Sequence, residues 1–230
     1  MRKLLYCPVI HMSADLGSLA REATKRGMAG LGEELWERHQ ETIRGFWLAL
    51  EVYFNSIEVS GFKVYQDGMA TDGEMGKKII EEGVRNHSKN FEIISSLLKK
   101  GAVLVKTEEF NLLRLEVDRL IKISKAKTVI KKLVAYLAYR LTKNGLLRRR
   151  DEFIARRINE TLKDGETGIL FVGAYHDVNR RLPCDILVHE VKDRKRVADY
   201  QRKFPCRERK RKEVEGLSDY LVSPIELKFD

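Results

Sequence analysis

Residues 168–176, which read GILFVGAYH, decide the fold. Four apolar residues, 169–172, lead into Gly173, and His176 follows three positions later. A short apolar run that stops at a glycine is typical of a strand buried on both faces, and the glycine lets the backbone turn sharply off the sheet. We therefore expect a central strand here, with His176 at its carboxyl end.

Further strands and helices alternate along the chain. Apolar runs predict strands at residues 4–10, 61–65, 102–106 and 185–191. Three-to-four spacing of apolar residues predicts helices at about 32–54, 73–86, 88–100 (starting at Ser88), 110–124, 128–141 (stopped by Asn144-Gly145) and 148–162, and Gly27 is expected to end an earlier helix. This alternation indicates an α/β fold, with a mostly parallel central sheet and helices on both faces.

The 230 residues suit a single α/β domain spanning 1–230. Within it we expect a helical insertion at 70–145 and a charged C-terminal tail at 192–230. No apolar run approaches the ~18 residues that cross a bilayer, so we expect no transmembrane segment. The run at 4–10 is too short for a secretory signal, which predicts a cytoplasmic protein.

Positive charge is concentrated in two segments. The formal net charge is +10, and residues 119–150 contain eleven Lys and Arg but no Asp or Glu. Residues 192–213 contain eleven more, with four acids. Such segments could bind an anionic ligand or substrate, nucleic acid or an anionic membrane surface, or they could be solvated helix faces. The three glutamines, against 44 Lys and Arg and 34 Asp and Glu, resemble a thermophilic composition.

Ionisable or ligating residues follow four of the predicted strands. They are His11, Asp67, Glu108 and His176. Because the carboxyl ends of parallel strands meet at one edge, where such sheets bind ligands, these side chains are candidates for one site. Two imidazoles and one or two carboxylates form a sensible set for a divalent ion such as Zn, Mn or Fe. Alternatively, Asp67 belongs to an Asp-Gly turn and Glu108 is a first-turn helix acid.

An arginine-rich segment, RRRDEFIARRI at 148–158, offers another candidate. Arg150 shares a helix face with Ile154 and Arg157. Arg150 could bind a substrate phosphate or carboxylate, or the arginines could pair with internal acids such as Asp151. Aromatic residues are not interleaved with these cations, which disfavours single-stranded nucleic acid as the partner.

Several motifs are missing from the sequence. There is no GxGxxG dinucleotide fingerprint, no GxxxxGK[ST] phosphate loop, no HExxH and no GxSxG. These absences argue against the enzyme classes that depend on them.

Residues 148–182, which include RRDEFIARRINETL and GILFVGAYH, resemble the end of the TraB/PrgY-like domain. They are similar to the wider group of GumN-like, Tiki and ChaN/erythromycin-esterase-like proteins. The family has a second Gly-x-x-His after its first strand, which corresponds here to His11 with Pro8 in the place of the glycine, and an acid after its second strand, matched by Asp67. The resemblance implies metal-dependent peptidase activity, haem or iron binding, or signal-peptide shut-down, depending on the branch.

Two functions follow as hypotheses. In the first, a metal-dependent hydrolase acts on an amide or ester, with His11 and His176 as metal ligands, Asp67 or Glu108 as ligand or general base, and Arg150 as a clamp for the substrate's negative charge. In the second, the protein is a non-catalytic binding or regulatory protein. Its basic segments bind an anionic partner, which is either nucleic acid or a membrane surface. A homo-oligomer is also among the expected states.

Overall fold

In the computed structural model, which describes residues 1–11, 20–126 and 128–226, five parallel strands form one sheet. The strands are β1 (Arg2–Val9), β2 (Lys63–Gln66), β3 (Val103–Val105), β4 (Thr167–Gly173) and β5 (Ile186–Glu190), in the spatial order β3-β2-β4-β1-β5. The helices are α1 (Ala20–Leu31), α2 (Glu33–Ser56), α3 (Gly73–Arg85), α4 (Lys89–Lys99), α5 (Phe110–Lys125), α6 (Val129–Thr161), α7 (Arg194–Lys203) and α8 (Arg211–Val222). The predicted α/β class with a parallel sheet is confirmed.

Residues 168–173 belong to β4, which is the middle strand of the sheet. In its register, Gly173 pairs with Val9 on β1, and Phe171 pairs with Gln66 on β2. Residues 168–172 are buried, as expected for a strand covered on both faces. The chain therefore brings the ends of β1, β2 and β4 side by side.

Helices cover both faces, and each face has its own apolar core. On one face Leu5, Ile169 and Phe171 pack with side chains from α2, α4, α7 and α8. On the other face, Leu170 and Val172 pack against Ile154 and its neighbours on α6. The predicted placement of helices on both faces is confirmed.

The segment 70–145 is more than a helical insertion. It contains β3, which pairs with β2 at the edge of the sheet, and its last helix, α6, runs on to Thr161. The prediction of a helix stop at Asn144-Gly145 is wrong, because the backbone continues as one helix of 33 residues. Similarly, α1 continues past Gly27 to Leu31. An Asn-Gly pair is a weak stop signal when the flanking sequence favours the helix.

Residues 192–222, which lie within the expected charged tail, form α7, α8 and the turn between them. Val197 and Tyr200 on α7, Phe204 in the 3-10 turn that follows, and Val214 and Leu221 on α8 are all buried in the core. The three-to-four spacing of these apolar residues gives each helix a buried stripe despite its many charges. Within the described residues, no helix is long and apolar enough to cross a membrane.

Candidate functional site

Three predicted site residues meet at the carboxyl edge of the sheet. Asp67 directly follows β2, and its Oδ2 lies 3.6 Å from Nε2 of His11 and 3.5 Å from Nε2 of His176. The side chains of Asp67 and His176 are almost fully buried, whereas His11 exposes 37% of its side chain. Both imidazoles therefore present the same ring nitrogen to one carboxylate oxygen, and His11 forms the solvent-facing side of the group.

Gly173 forms the floor beneath these three side chains. Its backbone N–H donates to Oδ2 of Asp67 at 3.1 Å. A Cβ added at this position would lie 3.4 Å from Nε2 of His11, 3.5 Å from Oδ2 of Asp67 and 3.6 Å from Cδ2 of His176. The three groups therefore surround a small space that the missing side chain leaves open.

The other ring nitrogen of His176 is held by Asp151, on α6. Nδ1 of His176 lies 2.6 Å from Oδ1 of Asp151, and the backbone N–H of Asp177 donates to the second oxygen of Asp151 at 3.0 Å. The carbonyl oxygen of His176 accepts hydrogen bonds from the Tyr6 hydroxyl and the Arg194 guanidinium, each at 3.2 Å. The ring and its backbone are therefore fixed from several elements.

Behind Asp67 lies a buried arginine bound by three carboxylates. Nη2 of Arg150 donates to Oδ1 of Asp67 and to Oε1 of Glu108, both at 2.5 Å, and its Nε lies 3.1 and 3.2 Å from the two oxygens of Glu108. Its Nη1 donates to Glu116 on α5. Arg150 thus connects the ends of β2 and β3 to two helices.

Burial and these contacts shift the protonation equilibria. Burial alone would raise the pKa of Asp67, but His176, His11 and Arg150 outweigh it and hold that pKa well below its usual range. Burial alone would lower the pKa of His176, yet the Asp67 and Asp151 carboxylates raise it. For Glu108 burial is the larger effect, and its pKa rises to about 7. Burial opposes the charge of Arg150, but its carboxylate partners raise its pKa further above the usual value.

The types of donor atom in His11, Asp67 and His176 suit a divalent cation. Two imidazole nitrogens and a carboxylate oxygen are the ligands of many zinc and iron sites that keep open coordination positions. Asp151 contacts Nδ1 of His176, and a metal-binding histidine usually has such a hydrogen-bond partner on the ring nitrogen that does not bind the metal. Across the described residues, no group of three or more His, Cys, Asp or Glu side chains is arranged as a ready metal site. The space over Gly173 is the place where the donor atoms converge.

The remaining predicted residue, Glu108, joins the group only through Arg150. Its side chain has no exposed surface, so it faces the arginine and not the solvent. Arg150 itself takes internal acids as partners, which was one of the two alternatives, and its N–H groups are directed at carboxylates and not at an open surface. The acids are Glu108, Asp67 and Glu116, while Asp151 pairs with His176 instead.

Sequence reasoning missed Glu116 and gave Asp151 a different partner. Asp151 follows Arg150 directly, so the pair Arg-Asp on one helix could have indicated that both side chains enter the site. No pattern singled out Glu116, which lies among other charges on α5.

Comparison with protein-family models, with curated proteins and with solved structures finds no match to this chain. The resemblance to the TraB/PrgY-like domain stays a prediction.

Proposed function

We propose that the protein is a metal-dependent hydrolase of amides or esters, and that His11, Asp67 and His176 hold a divalent ion at the carboxyl edge of the sheet. One observation carries the proposal: Nε2 atoms of two histidines from opposite ends of the chain approach the same oxygen of Asp67. An ion held by His11, Asp67 and His176 would supply Lewis-acid activation of water for attack on an amide or ester carbonyl.

Each neighbouring residue has a defined task in this proposal. Asp151 accepts a hydrogen bond from Nδ1–H of His176, so that the lone pair of Nε2 is free when that nitrogen loses its proton. Arg150 and the Gly173 N–H hold the two oxygens of Asp67 in place. Glu108 accepts hydrogen bonds from Arg150 at a fully buried position, so it supports the site and does not contact the substrate.

Substrate would approach from the His11 side, because His11 is the exposed member of the group while Asp67 and His176 are nearly covered. The floor of the approach is a backbone segment with no side chain, Gly173, so a planar amide or ester group could come close to the donor atoms.

The test is metal analysis of protein purified without a histidine tag, combined with melting curves in added Zn²⁺ or Mn²⁺. We expect near-stoichiometric metal or an increase in Tm for the wild type, and neither for His176→Ala or His11→Ala. Hydrolysis of an activated ester should disappear when the metal is chelated and return when it is restored.

The matched control is His87→Asn. His87 is an exposed histidine at a φ of 59°, a conformation that asparagine tolerates, and it lies outside the site. Its metal content and Tm response should equal those of the wild type. If no metal copurifies, and if Zn²⁺ and Mn²⁺ leave the Tm of the wild type unchanged, the proposal is wrong.

A further inference from the structure

The first half of α6 carries large apolar side chains on its surface. The exposed fraction of the residue is 76% for Ile130, 55% for Leu133, 61% for Val134, 47% for Leu137 and 85% for Leu141. These five residues, which we call the α6 stripe, are the apolar face that the sequence predicted. In most globular helices such a face is buried against the core.

The α6 stripe points away from the rest of the molecule. Its residues follow three-to-four spacing, so they share one side of the helix over about three turns. Among the side chains of this segment that the structure describes, those of Ala135 and Tyr139 are half-buried, and the same spacing places them on the opposite side of the helix. The helix is therefore attached by its less apolar side and presents its aliphatic side outward.

Cations flank the stripe. Lys131 and Arg140 are exposed, one on each side of the stripe by helical spacing, and residues 119–150 contain no Asp or Glu. An aliphatic stripe with a cation on each side requires an apolar medium for its side chains and negative charge beside it.

We propose that the α6 stripe and its flanking cations bind the surface of an anionic lipid bilayer. Acyl chains accept the aliphatic side chains and anionic headgroups pair with Lys131 and Arg140, as in helices that lie in the membrane interface. Duplex DNA or RNA offers phosphates but no partner for five aliphatic side chains. A second copy of this chain would bring like charges together along the contact.

Bilayer binding would also orient the candidate site. Arg150 and Asp151 belong to the same helix, and Arg150 comes nine residues after Leu141, about 13 Å further along the axis. A membrane-bound α6 would therefore hold the site within a short distance of the lipid surface. Binding through the stripe occurs whether or not the site holds a metal.

The experiment is flotation of the full chain with vesicles of pure phosphatidylcholine, and with vesicles that also contain phosphatidylglycerol, at low and high salt. We expect binding to the anionic vesicles that weakens as salt is raised, and little binding to the neutral ones. Two variants then separate the components: a stripe variant, Ile130→Gln/Leu137→Gln/Leu141→Gln, and a charge variant, Lys131→Gln/Arg140→Gln.

The charge variant should bind about 25-fold more weakly, since each of the two cations near the lipid surface contributes about fivefold. The stripe variant should lose at least about tenfold, because each methylene in the interface contributes about fourfold. All five positions are exposed, so neither variant removes a core contact.

Matched controls change the same residue types elsewhere. They are Leu48→Gln/Val52→Gln/Met75→Gln for the stripe and Lys78→Gln/Arg85→Gln for the charges, all at exposed positions. Both should bind vesicles as the wild type does. The proposal is overturned if the wild type ignores anionic vesicles, or if the stripe variant binds them as well as the wild type. A wild-type dimer that dissociates in the stripe variant, without vesicle binding, would overturn it in favour of a second copy.

Discussion

Nδ1 of His176 lies 2.6 Å from Oδ1 of Asp151, and this contact determines which nitrogen of the ring faces Asp67. With Nδ1 donating to a carboxylate, Nε2 is the atom presented to the space above Gly173. The two residues come from α6 and from the loop after β4, so the orientation of the ring depends on how α6 packs against the sheet.

Asp151→Asn should weaken metal binding, activity or both by about 10–100-fold while leaving the fold intact. The amide has nearly the same shape, but it no longer offers a charged acceptor to Nδ1. Calorimetric titration with Zn²⁺ or Mn²⁺ measures the effect. Asp177→Asn is the control, because the Asp177 carboxylate contacts Arg180 and Arg194 and not the imidazole. Equal affinity in wild type and Asp151→Asn would show that this contact does not position the ring.

Arg150→Met should destabilise the fold by about 3–5 kcal/mol, because it leaves the Glu108 and Asp67 carboxylates buried without their cation. Urea unfolding followed by circular dichroism measures the change.

The double variant Arg150→Met/Glu108→Gln is the informative comparison. It removes one of the two uncompensated charges, so it should be more stable than Arg150→Met alone. If the two changes are simply additive, Arg150 and Glu108 are not energetically coupled and their contact contributes little.

Gly173→Ala should fold normally but lose the metal response. The added methyl group would be in van der Waals contact with His11, Asp67 and His176, so it fills the space in which their donor atoms converge. We expect no rise in Tm with Zn²⁺ or Mn²⁺, and an unchanged Tm without them to within a few degrees. A wild-type metal response in this variant would place the ion elsewhere.

The edge of the sheet at which the site lies was predictable, because alternation of strands and helices dictates a parallel sheet. Apolar runs that end in His11, Asp67 and His176 then bring these residues to one edge without any knowledge of contacts. The pairing of side chains was not predictable to the same degree. Glu108 occupies an equivalent strand end, yet β3 lies at the margin of the sheet and its acid turns to Arg150.

The C-terminal helices and the length of α6 were harder to predict for another reason. The many charged residues on the outer faces of α7 and α8 made it hard to recognise the few apolar positions, such as Val197 and Leu221, that face the core. A local stop signal such as Gly145 is weak, because glycine in a helix interior costs only about 1 kcal/mol relative to alanine and the residues on both sides of it favour the helix.

Gly145→Ala tests the continuity of α6. Gly145 lies inside the helix, and a Cβ at this position would meet no atom within 4 Å. Alanine should therefore stabilise the protein by about 0.5–1 kcal/mol. If the helix ended here with Gly145 in a left-handed conformation, alanine would destabilise it instead. Urea unfolding distinguishes the two signs.

His39 should make the stability depend on pH between about 4 and 6.5. Burial lowers the pKa of His39 to about 4. Nδ1 of His39 lies 3.0 Å from the Tyr200 hydroxyl, and the ring packs on Phe204. The unfolded chain, with a histidine pKa near ~6.5, binds more protons in this range, so the free energy of unfolding rises with pH. The contribution is fully present above pH ~6.5 and is lost as the pH falls toward 4.

The variant His39→Gln keeps a polar side chain but has no proton to titrate in this range. Relative to it, the wild type should lose on the order of 1–2 kcal/mol between pH ~6.5 and ~4, a figure reduced for the partial exposure of the ring. Urea unfolding of both proteins at several pH values gives the difference, in which the acid titration of the other carboxylates cancels. Two parallel curves would mean that His39 keeps its ordinary pKa in the folded protein.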